Sequence, residues 1–593
     1  MKHHLITTAD EQTWPEDKNQ PVLFLGEWCK LYSRKGNWEK LDSETHLCHH
    51  WNDRDKLYAD YQAMQLIHEK ILPILADKLN EIHQVNYSLR YWRILVGPWL
   101  GVFISVLFDR YSVLKSVFSD DKKYSCTFIK RDDFSFVPHD MRDFENFKSR
   151  DDWNELIYSQ LITEYWADKV EATWVIENKN HGFKKETSAK IKRKMRNRKI
   201  VAFIKQLYIS NNSYFFIGSY LPSKVQPALQ RRLGQVVNAW RPLPSPTIEH
   251  SADTREQWKV LDIGAVTDFE RALQVMIPLH IPTLYLEGYK ALSTAVKKLP
   301  WPKNPKAIFT SNSFWLDDMF KAWAASKTEI GTPLVIGQHG GTYGDGLFFW
   351  LKTHETKIAD KWLSWGWSDE AQKNIIPIAN LRIIGSQVDY NPKGGVVMIE
   401  TGMYRYHSLM ISAPVASQWL DYFNDQQTFL SELPDALQQR VLLRLDRRTG
   451  EWMGGERHWH EVMPKVVIDA GVNNMKETIQ NSRLCIVTYD ATAHLETLAW
   501  NVPTIMFWNP EHWEINEQAK PYFDMLESVG IFHTTPQGAA QQMIKVWDNV
   551  ESWWQSDKVQ QARSTFVAQY SATPENALDL LKEVLVEVAD KAK

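Results

Sequence analysis

A histidine beside a run of glycines is the strongest candidate for chemistry in this 593-residue chain. Gln338 and His339 follow a short apolar run of strand type, and Gly340 and Gly341 come directly after them. Glycine lets the backbone approach a ligand closely, and the imidazole could donate to a phosphate or serve as a general acid or base. The alternative is a turn histidine in a glycine-rich hairpin. The spacing fits neither a dinucleotide-binding motif nor a P-loop.

Two carboxylates near the ends of predicted strands could also take part in a reaction. Asp317 comes soon after the strand-type run Ala307–Ser311, and Glu27 ends the first predicted strand, Pro21–Trp28. Such a carboxylate could remove a proton or act as a nucleophile. The competing interpretation of Asp317 and the adjacent Asp318 is an acidic pair that stabilises the first turn of a helix.

The segment Arg483–Pro510 has the pattern of a strand, a polar loop, a short helix and a second strand. Its loop lies at the carboxyl end of a parallel strand and the amino end of a helix, where free N–H groups attract anions. Asp490 and Thr492 could bind a ligand there, or one of them could simply cap the helix. Glu496, one turn into the helix, could accept hydrogen bonds from sugar hydroxyls.

Arginines follow or interrupt other strand-type runs in the second half of the chain. Arg444 lies inside the apolar run Val441–Leu445, Thr401 ends the run Val396–Thr401, and Arg405 follows that run. Guanidinium groups bind phosphates and carboxylates in a fork geometry. Arg444 is the best of these candidates because a charged side chain in an apolar strand is rarely without a partner.

Composition excludes several classes of protein. Hydrophobic residues make up 44% and charged residues 24%, which is ordinary for a globular chain and excludes disordered and fibrous classes. A net charge of −3 gives no global attraction to nucleic acid or membrane. The four cysteines lack a CxxC repeat, which argues against a disulfide framework and a structural zinc site. The polar start lacks the apolar core of a signal peptide, so a cytoplasmic location is expected.

The order of the apolar runs predicts a wound α/β architecture with two domains. The predicted divisions are an N-terminal α/β domain at 1–386, a linker at 387–395 that contains Asn-Pro and Gly-Gly, and a C-terminal α/β domain at 396–593. The long apolar run Ile94–Phe108 is shorter than a membrane span and contains Gly-Pro, so it is predicted to be a buried core helix. The remaining predicted strands include Ala202–Ile209, Ser213–Leu221, Pro333–Gln338, Trp362–Trp367 and Leu381–Ser386.

Two polar clusters have mainly structural interpretations. His46–His50 contains metal-capable nitrogens, but adjacent residues do not easily share one tetrahedral site, so no metal is predicted there. Lys184–Lys199 contains nine basic residues against one glutamate. It is either a solvated helix face or a contact with an anionic membrane surface or acceptor.

A resemblance to a known family follows from two motifs together. The QHGG-x-YG loop and the segment TYDAT-x-x-LE-x-LA-x-N-x-PTI-x-FWNP resemble a family of transferases found in bacterial surface-polysaccharide gene clusters. LFLGEWC and SLRYWRILVGPWLG near the start are similar to that family too. The family is similar to GT-B glycosyltransferases, and its QHG loop is similar to that of transferases that use CMP-activated ulosonic acids.

The resemblance implies a GT-B enzyme with two Rossmann-like domains facing a cleft and extra N-terminal helices. It would move a sugar from a nucleotide donor to a surface glycan or lipid-linked glycan, with no metal and no cofactor. His339, with Asp317 or Glu27 as base or nucleophile, would be catalytic. The donor site would comprise Gln338, Gly340, Gly341, Arg444, Asp490, Thr492 and Glu496. The alternatives are a UDP- or GDP-sugar transferase, a nucleotide-sugar epimerase of the same build, and a non-catalytic glycan-binding factor.

Overall fold

The strand-type runs of the sequence pair into parallel sheets in the computed structural model of the chain. The structure describes residues 2–46, 49–132, 134–177, 210–256, 258, 261–447 and 450–591. The predicted strand Ala202–Ile209 and the basic run Lys184–Lys199 lie outside the described residues. Their predicted roles therefore stay predictions.

The first sheet has five parallel strands in the order β3-β2-β1-β4-β5. Leu5, Ile6, Val22 and Phe24 are fully buried, so the centre of the sheet lies in the core. The strands are β1 (His4–Ile6), β2 (Val22–Phe24), β3 (Ser43–Thr45), β4 (Tyr124–Lys130) and β5 (Val170–Ile176).

The second sheet also has five parallel strands, in the order β10-β9-β8-β7-β6. Its central strand ends at the residue before Gln338 and His339, so the sheet places the histidine loop at a strand's carboxyl end. The strands are β6 (Phe215–Phe216), β7 (Ile308–Thr310), β8 (Leu334–Gly337), β9 (Lys361–Ser364) and β10 (Ile375–Pro377).

The third sheet has six parallel strands in the order β13-β12-β11-β14-β15-β16. The chain winds outward from β11 in one direction and then from β14 in the other, which is the order of a doubly wound nucleotide-binding sheet. The strands are β11 (Gly395–Ile399), β12 (Val441–Arg444), β13 (Val467–Asp469), β14 (Ser482–Val487), β15 (Thr504–Phe507) and β16 (Phe532–His533).

Helices connect the strands and cover the sheets. The α-helices are α1 (Lys35–Trp38), α2 (Arg54–His83), α3 (Leu89–Leu95), α4 (Gly97–Val117), α5 (Met141–Phe147), α6 (Asp151–Tyr165), α7 (Val225–Arg232), α8 (Ala252–Glu256), α9 (Asp268–His280), α10 (Tyr289–Lys297), α11 (Ser313–Leu316), α12 (Asp318–Thr328), α13 (Trp350–Ile358), α14 (Gln418–Ser431), α15 (Asp435–Gln438), α16 (Gly450–Met453), α17 (Gly455–Val462), α18 (Met475–Gln480), α19 (Thr492–Ala499), α20 (Lys520–Ser528), α21 (Pro536–Val546), α22 (Val550–Trp554), α23 (Asp557–Tyr570) and α24 (Ala577–Lys591). Short 3-10 helices span Glu11–Thr13, Glu27–Cys29, Tyr32–Arg34, Thr283–Tyr285 and Trp547–Asn549.

The predicted α/β class with parallel sheets is confirmed, and the N-terminal part is richer than predicted. Residues 1–386 contain two sheets rather than one, and the predicted linker 387–395 falls between the second and third sheets. The division into two domains stays a prediction. The predicted strand Leu381–Ser386 is wrong: the chain turns there, with Gly385 at φ +65°, and the edge strand is β10 instead.

The long apolar run Ile94–Phe108 is buried and helical, as predicted, but it is not one helix, because α3 ends at Leu95 and α4 begins at Gly97. Most of α4 is buried, and an added Cβ at Gly101 would lie 1.8 Å from the Trp350 ring, so glycine permits the close packing of α4 on α13. Among the described residues, no single helix is long and apolar enough to cross a membrane. The pair α3 and α4 passes that test only together, and it is bent by 64°.

Candidate active site

A cleft of about 610 Å³ lies at the carboxyl ends of strands in the second and third sheets. His339 and Thr342 after β8, Gly402 after β11, and Tyr489 and Ala491 after β14 line it. The third sheet reverses its winding between β11 and β14, which is where open α/β sheets bind their ligands. The volume suits a ligand of nucleotide-sugar size.

Aromatic side chains form much of the cleft wall. Rings of this kind stack on bases and on the flat faces of sugars. Residues 145–149, at the end of α5 between β4 and β5 of the first sheet, supply Glu145 and Lys148 to the same cleft, so segments connected to all three sheets contribute to it. The aromatic residues of the wall include Trp315, Phe349, Tyr404, Trp419, Tyr489 and Trp513.

His339 is the predicted catalytic residue that lies in this cleft. Its side chain is 20% exposed, and its Nδ1 lies 3.1 Å from the Tyr343 hydroxyl. Burial and then the nearby Arg382 guanidinium lower the pKa of His339 to about 4. The imidazole is therefore neutral at physiological pH and keeps an unprotonated ring nitrogen.

A buried carboxyl group supports the histidine from behind. The Tyr343 hydroxyl donates to Glu355 Oε1 at 2.6 Å, and the Trp362 indole donates to Oε2 at 2.8 Å. Burial raises the pKa of Glu355 to about 8. The network His339, Tyr343 and Glu355 thus fixes the imidazole without placing a full negative charge beside it at neutral pH.

Gln338 contacts the protein itself. Its Nε2 donates to the Gly340 carbonyl at 2.8 Å, and its Oε1 accepts from the Trp365 N–H at 3.0 Å and the Trp367 indole at 2.9 Å. These bonds hold the histidine loop in shape. The predicted donor-binding role of Gln338 stays a prediction, and its side chain is only 1% exposed.

Of the two glycines after His339, Gly341 packs closely against protein backbone. The Gly341 N–H donates to Thr492 Oγ1 at 3.1 Å, and an added Cβ at Gly341 would lie 2.2 Å from the Ala491 carbonyl carbon. Gly340 has more space, with Thr492 Oγ1 3.6 Å from its ideal Cβ. The two motifs predicted to bind the ligand are therefore in direct contact at the cleft.

At the start of α19, neither Asp490 nor Thr492 is the capping residue that the sequence allowed as an alternative. The N-cap position is Ala491, and no side chain caps the helix. Thr492 is used by Gly341, as described, and the Asp490 carboxylate is fully buried beside His494 and Asp345. The interpretation of Asp490 or Thr492 as the N-cap is therefore wrong. Ala491 holds the N-cap position, and the Thr492 hydroxyl accepts from the Gly341 N–H of the histidine loop.

Arg444 and Glu496 are paired within the protein. Arg444 forms an ion pair with Asp469, and its second nitrogen donates to the Asn473 carbonyl at 2.9 Å. Glu496 Oε1 lies 2.7 Å from the Arg382 Nε. Neither residue is among the described residues that line the cleft, so their donor-binding roles stay predictions.

The two predicted carboxylates also lie outside the lining of the cleft. Asp317 is the N-cap of α12 and accepts from the Phe320 N–H at 3.1 Å, which agrees with the helix-start interpretation. Burial raises the pKa of Asp317 to about 7. Glu27 pairs with Lys30 at 3.1 Å in a 3-10 turn. Of the three predicted catalytic residues, only His339 contributes to the cleft.

Comparison with known proteins assigns the chain to a family. A family profile described as "LIC12162 family transferase" matches residues 3–585, nearly the whole chain. The chain belongs to the LIC12162 family of transferases. No sequence among curated proteins matches this transferase.

Solved structures give only a distant likeness to the transferase. The wall teichoic acid polymerase TagF is 12% identical with a TM-score of 0.32, over 68% of this chain and 95% of that one. MurG of Acinetobacter baumannii is 10% identical with a TM-score of 0.32, over 63% and 100%. The glycosyltransferase SsfS6 of Streptomyces sp. SF2575 is 11% identical with a TM-score of 0.28, over 62% and 98%. At these scores the likenesses carry no argument about the site.

Several residues of the transferase site were missed by the sequence reasoning. Glu355 and Tyr343 support His339, and Trp513 lies in the cleft wall. Tyr343 could have been found, because it lies four residues after the histidine in the same motif. Glu355 lies within α13 and Trp513 in a distant loop, so no local spacing signals them.

We expect replacement of Arg382 by glutamine to raise the pKa of His339. The guanidinium disfavours the protonated imidazole, so its removal makes protonation easier. The neutral form would then be lost at a higher pH as the solution is acidified. An NMR titration of the imidazole measures this, with Arg457→Gln, an exposed arginine on α17, as the control. An unchanged or lowered pKa of His339 in Arg382→Gln would contradict the conclusion that the Arg382 guanidinium lowers this pKa.

Proposed function

We propose that this transferase is a glycosyltransferase that moves a sugar from a nucleotide donor to a surface-glycan acceptor. The observation that carries the proposal is the position of the cleft. It lies at the reversal point of a sheet with nucleotide-binding strand order, and it contains the neutral imidazoles of His339 and His407 and an aromatic wall. The family membership supports a group transfer. The proposal includes a GT-B arrangement, in which two Rossmann-like domains face a cleft.

In the proposed step, His339 acts as the general base. Its ring nitrogen takes the proton of an acceptor hydroxyl while that oxygen bonds to the anomeric carbon of the donor sugar. The bond from that carbon to the phosphate oxygen breaks, and its electron pair leaves with the nucleotide phosphate. A single displacement of this kind inverts the anomeric configuration. Retention of configuration would argue for a carboxylate nucleophile instead.

We propose a CMP-activated ulosonic acid as the donor. This choice follows the resemblance of the QHG loop, and such a donor is anionic at both its phosphate and its carboxylate. Lys148 and Arg405 bring two cations to the cleft, although each also contacts a carboxylate, Glu145 or Asp151. Cations and N–H groups stabilise the charge that develops on a leaving phosphate.

An activity assay can distinguish the proposed function from other functions of the same cleft. A UDP- or GDP-sugar transferase would need a glycan acceptor just as the proposed enzyme does. A nucleotide-sugar epimerase would change the donor with no acceptor, and a glycan-binding factor would leave the donor unchanged. An assay of donor turnover with and without glycan separates a transferase from an epimerase and from a binding factor. We also propose a cytoplasmic location, with Lys184–Lys199 as a contact to the inner membrane.

Binding of the donor nucleotide is expected to raise the melting temperature of the transferase. A ligand that binds only the native state stabilises it by about 2.7 kcal/mol at 100 times its Kd. A thermal-shift series with CMP, UDP, GDP and their sugars measures this, and CMP compounds should give the largest shift. Stabilisation by UDP or GDP but not by CMP would contradict the ulosonic-acid donor while leaving the glycosyltransferase proposal in place.

A matched pair of aromatic variants locates the binding in the cleft. Tyr404 is 45% exposed and lines the cleft, whereas Trp174 is 50% exposed on the edge strand β5 of the first sheet. Tyr404→Ala should reduce the nucleotide-dependent shift, because a stacking surface is lost. Trp174→Ala should leave it unchanged. Equal behaviour of the two variants would place the nucleotide elsewhere.

A further inference from the structure

A buried group of three titratable side chains lies behind the cleft, between the second and third sheets. Asp345 comes from the histidine loop, and Asp490 and His494 come from the loop after β14 and from α19. Their exposed fractions are 1%, 1% and 0%. The His494 Nε2 lies 3.9 Å from Asp345 Oδ2 and 3.8 Å from Asp490 Oδ1. The proposed transfer does not use any of these side chains.

Five of the six polar side-chain atoms of this group have no hydrogen-bond partner within the part of the chain that the structure describes, and the sixth, Asp345 Oδ1, accepts from the Gly346 N–H. The five atoms are both carboxylate oxygens of Asp490, Oδ2 of Asp345 and both ring nitrogens of His494. Burial of one such atom costs about 1–3 kcal/mol, and five lie together here. Natural proteins rarely tolerate this without a partner, which indicates that the group binds something.

A second group of possible ligands shows the difference between a satisfied and an unsatisfied cluster. His49 and His50 direct their Nε2 atoms to Asp109 Oδ1 at 3.0 and 3.2 Å. Arg110 also pairs with Asp109, so this carboxylate is fully used within the protein. These contacts satisfy the cluster within the protein, and the absence of a metal at His46–His50 stays a prediction. In the first group the polar atoms face one another instead.

We infer that Asp345, Asp490 and His494 bind one divalent transition-metal cation that fastens the histidine loop to the start of α19. Two ligand atoms that each lie about 2.0–2.2 Å from one ion can be at most about 4.4 Å apart. The separations of 3.8 and 3.9 Å meet this limit. One imidazole nitrogen with two carboxylates suits Zn²⁺ or Mn²⁺ better than Ca²⁺, which prefers oxygen ligands only.

The charges of the group match such an ion. Two carboxylates and a neutral imidazole carry two negative charges, which a divalent cation neutralises within a buried space. An imidazole that stays neutral keeps its lone pair available for a metal.

The surrounding contacts give the ion a structural role. Thr342 Oγ1 donates to the Asp490 carbonyl at 3.1 Å, and the Asn516 N–H donates to the Asp345 carbonyl at 2.8 Å. The first bond joins the two loops that carry the ligands, and the second joins the histidine loop to the segment after β15. The side chains of Asp490 and His494 are fully buried, and Asp490 belongs to the lining of the cleft, so the ion would hold this part of the cleft wall in place. The sequence predicted no metal, and the inference differs from that expectation.

The first test uses the full-length protein and the metals themselves. Elemental analysis of protein purified without chelator should find a stoichiometric transition metal, and prolonged chelation should lower the melting temperature. Added Zn²⁺ or Mn²⁺ should restore it, whereas Mg²⁺ should not. Co²⁺ in place of the native ion should give an absorption spectrum of mixed nitrogen and oxygen ligation. Protein that holds no metal, and whose melting temperature responds to neither chelator nor Zn²⁺ nor Mn²⁺, would overturn the inference.

Variants assign the metal to this group. His494→Gln and Asp490→Asn should lose the bound metal. His354→Gln is the matched control, because His354 is also a buried imidazole with two unpartnered nitrogens among the described residues, but it belongs to no ligand group. His50→Gln should retain the metal. Loss of metal in His50→Gln with retention in His494→Gln would overturn the assignment. If the His494 variant does not fold, the Co²⁺ spectrum of the native protein still decides between nitrogen-containing ligation and none.

Discussion

Replacement of His339 by glutamine is expected to lower kcat for sugar transfer by about 10²–10⁴-fold, the usual contribution of a general base. Among the three predicted catalytic residues, only His339 lines the cleft. Glutamine keeps a polar side chain of similar reach but cannot accept the proton. Steady-state transfer of sugar to a glycan acceptor measures the effect.

Two controls separate lost chemistry from lost binding or folding. The nucleotide-dependent thermal shift of His339→Gln should equal that of the native protein, because the imidazole acts on the acceptor. His354→Gln changes a buried imidazole that is not among the described cleft-lining residues, so it should retain kcat within a few-fold. A His339 variant with kcat within tenfold of the native value would remove the histidine from the catalytic role.

The same experiment on Asp317 tests the sequence-based alternative. Asp317 caps α12 through the Phe320 N–H. The loss of an N-cap acceptor typically costs about 1 kcal/mol of stability. Asp317→Asn retains a capping oxygen and should therefore change neither stability nor kcat by much. A large loss of kcat with an intact fold would restore Asp317 as the base or nucleophile.

The fold was predictable where a local pattern fixes it. The apolar runs at β8, β11 and β14 are buried on both faces, so their composition signals a parallel strand without knowledge of its partners. The end of α19 could also be predicted from the local sequence. Asn501, just after the helix, adopts a left-handed conformation with φ 57°, which is typical of a residue that ends a helix. These elements place His339 and Asp490 at strand ends, which explains why the motif residues were recognised.

Long-range contacts decide what the local patterns could not. The run Leu381–Ser386 has strand composition, yet the Asn380 N–H donates to the Ala572 carbonyl at 2.7 Å and its side chain to Ser571 Oγ at 2.9 Å. These bonds to a segment nearly two hundred residues away hold the chain in a turn. The strand β1, His4–Ile6, was missed for a local reason, because its apolar run is only Leu5–Ile6 and is flanked by histidines and threonines.

The location of the candidate site could be predicted from the sequence, but the contacts that its residues make could not. The sequence placed the histidine loop and the Asp490 loop at one cleft, but it assigned the glycines to a ligand. In the structure Gly341 approaches Ala491, and Arg444 and Glu496 pair with Asp469 and Arg382. A sequence shows that a polar group needs a partner, but only the fold decides whether that partner is a ligand or another residue.

The contact between the two motifs predicts a large difference between neighbouring glycine variants. An added Cβ at Gly341 would lie 2.2 Å from the Ala491 carbonyl carbon and 2.3 Å from its oxygen. Both are backbone atoms, which cannot rotate away as a side chain would. We therefore expect Gly341→Ala to push the loops apart and to lower the free energy of unfolding by about 1–3 kcal/mol, the usual cost of overpacking.

Gly340→Ala is the matched control for this variant. Its Cβ would meet Thr492 Oγ1 at 3.6 Å and a Tyr343 ring carbon at 4.0 Å, both ordinary contacts. Chemical denaturation should therefore detect a loss of stability in Gly341→Ala and little change in Gly340→Ala. The Gly341 variant should also lose transfer activity, because the displaced loop carries His339. Equal stability of the two variants would mean that the loops are not in contact, and the glycines would then be available to a ligand as the sequence alone suggested.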